Sequence, residues 1–309
     1  MSETSHDVII IGAGIGGSAL AAALARGGLD VLLIEKSESY ADRVRGEAFA
    51  PWGVAEARRL GLVESLEAAG AHYVGSMVGY DEVAPPEIAE AAAAPMEGFA
   101  PDVPGVMTLA HPTHCQALYD AAVAAGATAR RGVAVVSVEA GAEPQVEYEA
   151  GGHRYAAHGR LVVGADGRPS AVREAFGVPL ESTAPRNWLA GLLAEGTGGW
   201  DRNVWTLGTA GDFAYAIFPL AGDRMRVYGL WPTDQRQRFA GADAAEKFLA
   251  AFDVDCCPHG KVIAGARAAG PLLAFLNNET WSDAPFVEGG VLIGDAAGWT
   301  DPVIGCGLS

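Results

Sequence analysis

The chain has 309 residues, half of them apolar, with 38 acidic against 21 basic side chains and a net charge of −17. That apolar content excludes a disordered chain, and the negative charge argues against nucleic acid or an anionic membrane surface as a partner, the excess acid serving solubility instead. No apolar run is long enough to span a membrane, the N-terminus is polar, and Cys115, Cys256, Cys257 and Cys306 fit neither a zinc site nor a disulfide scaffold, so a cytoplasmic protein without a metal is expected.

The chain opens on a buried strand, residues 7–11, followed by Gly12-Ala13-Gly14-Ile15-Gly16-Gly17. A helix should run from there to about Arg26, where Gly27-Gly28 stops it. A second apolar strand, 31–34, ends in Glu35 and Lys36. Gly12 permits the tight turn, Gly14 lets backbone approach a pyrophosphate, and Gly17 lets the helix pack close to the strand. The N–H groups at the helix start face the phosphates. Glu35, 18 residues past Gly17, stands where an acid accepts from ribose hydroxyls. Strand before, helix after and acid beyond together predict a dinucleotide site.

Residues 36–50 read as a polar loop holding Arg43-Val44-Arg45-Gly46-Glu47. Short helices are expected over 54–60 and 62–69, and a loose strand over 73–80. Residues 85–104, rich in alanine, proline and acid, read as an excursion or flexible loop. A helix over 113–125 comes next, then a hairpin of 131–139 and 145–149, then a buried strand over 161–163. That strand runs into Gly164-Ala165-Asp166-Gly167 and a further helix, with a plain Asp-capped turn as the alternative reading. From 187 to 232 the pattern changes to strands 188–193, 204–209, 214–218 and 225–230 between turn residues, an antiparallel-sheet signature. A helix over 243–252 follows. Residues 291–293 form another buried strand ending in Gly294-Asp295-Ala296-Ala297, and Pro302 to Gly307 opens what should be a last helix.

The ordered set of G-x-G-x-x-G, acid, R-x-R-G-E, G-A-D-G and G-D-A-A with P-x-x-G-x-G resembles the FAD-dependent class A monooxygenases, the para-hydroxybenzoate-hydroxylase-like flavoproteins, over nearly the whole chain. The resemblance implies an α/β fold: a Rossmann-type FAD-binding domain of the glutathione-reductase-like variant, interrupted by an antiparallel-sheet substrate domain. The domain expectation is FAD-binding parts at 1–75, 106–182 and 286–309, an excursion of the substrate domain at 76–105, and the substrate-binding sheet at 183–285. FAD is implied as cofactor, with NADH or NADPH as transient electron donor. The implied cofactor residues are Gly12, Gly14 and Gly17 at the pyrophosphate, Glu35 at the adenosine ribose, and Arg45 with Arg43 offsetting phosphate charge, with Ala13, Ile15, Gly16 and Lys36 as further cofactor-binding residues beside them. His111 belongs near the ribityl chain, Val135 at adenine, and Asp166 and Gly167 near both FAD and the nicotinamide. Gly294 and Asp295 fall at the ribityl chain, and Pro302, Gly305, Cys306 and Gly307 along the flavin.

Several positions depart from that pattern. Gly298 stands where many relatives have His, His111 where many have Arg or Gln, and Cys306 where Gln is common. Gly298 with Asp301-Pro302, and Arg45-Gly46-Glu47 with Pro51, resemble the flavin-halogenase and geranylgeranyl-reductase branches. The lysine that a halogenase needs is missing from Ala68-Ala69-Gly70-Ala71. The reaction implied is therefore NAD(P)H-dependent hydroxylation or epoxidation of a small aromatic or polyketide-like molecule through a flavin C4a-hydroperoxide, with oxygen as co-substrate, in a monomer or homodimer. A double-bond reductase, a halogenase and a non-catalytic truncated flavoprotein are the alternatives. Trp188, Trp205, Phe213, Tyr215, Phe218 and Tyr228 are candidate pocket residues, with ordinary core packing as the other reading, and no residue is assigned a catalytic role. Gly307-Leu308-Ser309 looks like the first turn of a long helix in the family, so weak FAD binding or poor folding is expected of the chain as it stands.

Overall fold

The computed structural model describes residues 2–44, 46–302 and 307. Five parallel strands form one sheet, in the spatial order Thr128–Arg130, Val31–Ile34, Ser2–Ile11, His153–Gly164 and Gly290–Leu292. The first strand of the chain therefore lies in the middle, and Phe286–Val287 closes one edge in antiparallel pairing. Successive side chains on a strand point to opposite faces. Val8, Ile10, Val31 and Leu33 accordingly pack on Ala21, Ala22, Leu118 and Ala122 of helices Ile15–Arg26 and His111–Ala124. Ile9, Ile11, Leu32 and Ile34 pack on the opposite side, against Val133, Val146 and Tyr148. Strands Ala134–Glu139 and Gln145–Ala150 form the hairpin on that side, and it runs directly into His153–Gly164. Both faces are covered there, which is why residues 8–11, 31–34 and 161–163 are apolar at every position rather than alternating.

The second large sheet has Asn187–Glu195, Arg224–Pro232, Phe213–Pro219 and Val204–Ala210 as antiparallel neighbours. Ser76–Tyr80 joins it parallel to Val204–Ala210, a pairing that the antiparallel reading of 187–232 did not anticipate. On the far face Phe213 and Tyr215 pack with Phe248 and Phe252 under helix Ala244–Ala250. On the near face Trp205, Phe218 and Ala216 pack with Val74, Met96 and Val106.

The 85–104 stretch is not a flexible loop. It holds helix Pro86–Ala91 and the short strand Ala94–Pro95. Pro86 sits in the first turn, where a missing N–H costs nothing, and Ala89 is buried among Val78 and Tyr80. A proline-rich composition reads as loop, but here Pro86 starts a helix. Strand Thr128–Arg130 escaped the sequence reading because it is a half-exposed edge with no apolar period. Strand Leu273–Asn277, which pairs with Asn187–Glu195, was missed for the same reason, most of it being exposed.

Candidate cofactor site

Three glycine turns stand side by side at the carboxyl ends of neighbouring strands, where open α/β sheets bind their ligands. Backbone bonds knit them together: Gly12 N–H donates to Ile34 O at 2.8 Å, Ala165 N–H to Ile11 O at 2.7 Å, and Ile293 N–H to Gly164 O at 2.9 Å. Gly12 has φ +103°, and a Cβ there would sit 2.3 Å from Ala165 O. A Cβ on Gly17 would sit 1.9 Å from Gly12 O. These two glycines are required by the protein's own backbone.

Gly14, Gly167 and Gly294 differ, because a Cβ added at any of them meets nothing within 4 Å. Open space lies over each of them, one on each of the three turns. Gly14 is also the N-cap of helix Ile15–Arg26, which has no side-chain cap and no acid in its first turn. The N–H groups of Ile15, Gly16 and Gly17 consequently have no intrahelical acceptor and carry the positive end of the helix dipole into the space over Gly14. This cradle fits a diphosphate.

Glu35 ends the second strand and is buried, with Oε2 accepting from Ala13 N–H at 2.9 Å and Oε1 from Ser37 N–H at 2.8 Å. Each oxygen keeps a lone pair for a ribose hydroxyl. Lys36 and Arg43 are exposed. His111 begins helix His111–Ala124, with its Cδ2 2.8 Å from the position of a Gly46 Cβ, which also has Ile15 Cδ1 at 3.5 Å. His111 therefore faces the start of the first helix. Val135 lies within a strand and pairs with Tyr148, whereas Val133 N–H is the group bonded to Glu35 O, at 3.1 Å.

Asp166 serves its own turn. Its Oδ1 accepts from Ser170 Oγ–H at 2.5 Å and its Oδ2 from Val172 N–H at 3.2 Å. Ser170 Oγ in turn accepts from Arg173 N–H, capping helix Ala171–Ala175. Asp295 is 3.2 Å from Arg168 Nε, and the Arg168 guanidinium lies over Trp299 at 4.9 Å and Phe275 at 5.2 Å. Buried Arg173 donates to Arg168 O at 3.2 Å and Ala296 O at 3.1 Å, stitching the second turn to the third. Pro302 is half-buried and Gly307 is an exposed turn residue. Arg45, Gly305 and Cys306 lie outside the described residues.

The sequence reading missed Asp42 and Arg226. The Arg226 side chain is 1% exposed on the near face of the second sheet, with Nη2 2.7 Å from Asp42 Oδ2 and Nε 3.0 Å from Glu47 Oε1. Tyr228 O–H donates to Glu47 Oε2. Burial pushes the Glu47 carboxyl above its ordinary value, with Arg226 and the Tyr228 bond opposing. Burial also acts to raise Asp42, but the Arg226 and Val44 hydrogen bonds outweigh it and leave that carboxyl lowered. The cluster pins Asp42 and Glu47 to the second sheet, and a Cβ on Gly191 would meet Val44 Cγ1 at 2.6 Å. The available signal was an arginine in phase with Tyr228 in the interior of strand Arg224–Pro232, whose other arginine, Arg224, stands at the exposed end.

The candidate pocket aromatics divide between the two faces. Phe213 and Tyr215 belong to the far-face core, as does Trp188, whose Nε1 donates to Thr233 O at 3.1 Å. Trp205, Phe218 and Tyr228 share the near face, with Trp205 stacked on Phe218 at 5.1 Å. A separate cleft of about 690 Å³ is lined by Arg58, Glu67, Tyr73 and residues 97–98 and 100–104, none of them from the glycine turns.

Fold and turns together define a dinucleotide-binding flavoprotein. The sequence profile of the FAD binding domain matches residues 5–309, and the chain belongs to that family. Its cofactor is FAD. Squalene monooxygenase of Rattus norvegicus is 42% identical over 80 residues, which are 26% of this chain and 14% of that protein. Among solved structures, the p-nitrophenol 4-monooxygenase of Pseudomonas putida DLL-E4 superposes with a TM-score of 0.79 at 17% identity, covering 100% of this chain and 76% of the other. A myxobacterial chondrochloren halogenase superposes with a TM-score of 0.81 at 23% identity, covering 99% and 71%. Among the described residues, no helix is long and apolar enough to cross a membrane, and no three His, Cys, Asp or Glu side chains cluster as a metal site.

Proposed function

We propose that this chain carries out the FAD-dependent part of a monooxygenase reaction, hydroxylating or epoxidising a small, largely apolar molecule with NADH or NADPH as electron donor. The observation that carries this reading is the open space over Gly14, Gly167 and Gly294 at three adjoining turns, with Asp42 and Glu47 tied to the near face of the second sheet. The matched segment of squalene monooxygenase, whose name states an oxygen-inserting reaction, agrees with it.

In this reading Gly12 to Gly17 hold the FAD diphosphate, Glu35 and Lys36 the adenosine ribose, and Arg43 and Arg45 offset the phosphate charge. His111, Gly294 and Asp295 lie along the ribityl chain. Asp166 and Gly167 shape the second turn, Val135 flanks adenine, and Pro302, Gly305, Cys306 and Gly307 border the flavin. Held by these residues, the flavin would supply the hydride-accepting and oxygen-reducing chemistry. This chain's residues bind it, orient it and exclude water. The division at 1–75, 76–105, 106–182, 183–285 and 286–309 is proposed to match these tasks, the first, third and last parts holding FAD and the others the substrate. Arg168 fixes the Asp295 carboxylate, and the Arg226 cluster keeps Asp42 and Glu47 on the second sheet. Trp205, Phe218 and Tyr228 supply an apolar wall with a single hydroxyl, already committed to Glu47, which suits a substrate held by shape rather than by charge.

Substrate-stimulated NAD(P)H oxidation tests the proposal. A monooxygenase consumes oxygen and yields a product one oxygen atom heavier. Turnover under anaerobic conditions, with hydrogen added to the product, would replace this reading with a double-bond reductase.

A further inference from the structure

The Arg131 guanidinium is held between two aryl faces, 4.3 Å from the centre of the Tyr40 ring and 3.9 Å from that of Tyr119. Its Nη1 donates to Gln116 Oε1 at 2.9 Å, while Nε and Nη2 are buried without a hydrogen-bond partner. Arg131 is half-buried, as is Arg202, whereas Arg173 and Arg226 are buried. Arg226 faces two carboxylates, Arg173 two carbonyls and Arg202 the carbonyls of Leu220 and Arg224, although Nη1 of Arg226 and of Arg202 is also without a hydrogen-bond partner. Among the described residues, Arg131 has no carboxylate in ion-pair contact.

Its place in the fold indicates where a counter-ion would come from. Arg130 pairs with Ile34 in parallel, Glu35 N–H donates to Arg130 O at 2.8 Å, and Val133 N–H donates to Glu35 O at 3.1 Å. Arg131 thus leaves the sheet at the same carboxyl edge as Glu35. Tyr40 O–H donates to Ala13 O at 2.5 Å, so the stack is fastened to the first glycine turn. A buried cation with unmet donors is costly unless an anion arrives to pair with it, and an arginine fork is well matched to phosphate oxygens. The flanking rings hold the fork in one orientation, which lowers the entropy lost on binding.

We propose that Arg131 is a further cofactor-binding residue, whose Nε–H and Nη2–H donate to the diphosphate of FAD beside the 12–14 turn, with Tyr40 and Tyr119 as its positioning residues. The inference rests on the reading that residues 12–17 take that diphosphate. It adds a phosphate ligand from the third parallel strand, outside all the glycine-turn motifs.

The test is calorimetric titration of the whole chain and of Arg131→Met with FAD, ADP and adenosine, each protein's fold being checked by circular dichroism. Arg131→Met keeps the stem between the rings and removes the charge. Affinity for FAD and ADP should fall at least tenfold, and affinity for adenosine, which has no phosphate, should stay within about twofold. Arg131→Lys keeps the charge but not the two-nitrogen fork, so it should weaken ADP binding less than the methionine variant while leaving adenosine binding within about twofold, and it decides the matter if the methionine variant does not fold. Unchanged ADP binding in Arg131→Met would overturn the proposal, as would equal losses for ADP and adenosine in either variant. A parent chain that binds neither ADP nor FAD would instead overturn the placement of the diphosphate at residues 12–17 on which the proposal stands.

Discussion

Arg226→Met is expected to destabilise the fold by about 3 kcal/mol at pH 7 and by far less at pH 5. The Arg226 and Glu47 side chains are each 1% exposed, and Asp42 is 28% exposed. Removing one partner from a buried pair costs about 3–5 kcal/mol. Asp42 can recover hydration, whereas Glu47 can only take up a proton. Starting from an ordinary value of 4.5, neutralising Glu47 at pH 7 costs about 1.36 kcal/mol per pH unit over about 2.5 units, which caps its penalty at about 3 kcal/mol. The pH dependence has a definite sign. Burial already raises this carboxyl, and losing Arg226 raises it further. A carboxyl raised in the folded state holds a proton there that the unfolded chain releases, so the variant loses stability as pH climbs from the unfolded value toward the folded one. Urea unfolding of both proteins at pH 5, 6 and 7 measures the difference. Adding Glu47→Gln should recover most of the loss at pH 7. A deficit under about 1 kcal/mol at pH 7, or one equal at pH 5 and pH 7, would refute this reasoning.

Further outcomes follow from the same structure. Gly14→Ala should fold normally, since its Cβ meets nothing within 4 Å, yet lose FAD affinity at least tenfold in a fluorescence titration, because the methyl occupies the approach to the diphosphate. Gly17→Ala, with a Cβ 1.9 Å from Gly12 O, should fail the circular-dichroism and melting comparison that Gly14→Ala passes. Burial, aided by the charge of His111, lowers His114 to about 3, so its ring proton shifts should stay flat between pH 5 and pH 8 in NMR. A histidine lowered in the folded state contributes stability that is complete above its unfolded value of 6.5 and is lost as pH falls toward 3, by about 1.4 kcal/mol per unit. His114→Phe should flatten that part of the unfolding curve. Ser170→Ala removes the N-cap of helix Ala171–Ala175 and should cost about 1 kcal/mol in chemical unfolding.

The nucleotide site was legible because it is built from local signals. Gly12, Gly17 and Glu35 occur within one strand–helix–strand unit, and each glycine meets a backbone constraint set only a few residues away or at the adjoining turn. The interlocking of Asp42 and Glu47 with the second sheet was not legible, since Asp42 and Arg226 are 184 residues apart and only the tertiary fold brings them together. Arg131 was hidden in the same way, its ring partners coming from a loop and from a helix. The aromatic candidates were only half readable. Strand alternation separates Phe213 and Tyr215 from Phe218, but which face meets the nucleotide domain depends on the connections made by Val44 and Glu47. Proline at 85–86 misled because the same residue that breaks a helix interior starts one at its first turn.

The most direct test of the central claim is titration of the chain with FAD, followed by flavin absorbance and by quenching of flavin fluorescence, with Gly14→Ala measured in parallel. The account predicts saturable, one-to-one binding that perturbs the flavin bands in the parent chain, and at least tenfold weaker binding in a correctly folded Gly14→Ala. Binding of equal strength in both proteins, or none in the parent chain, would contradict it.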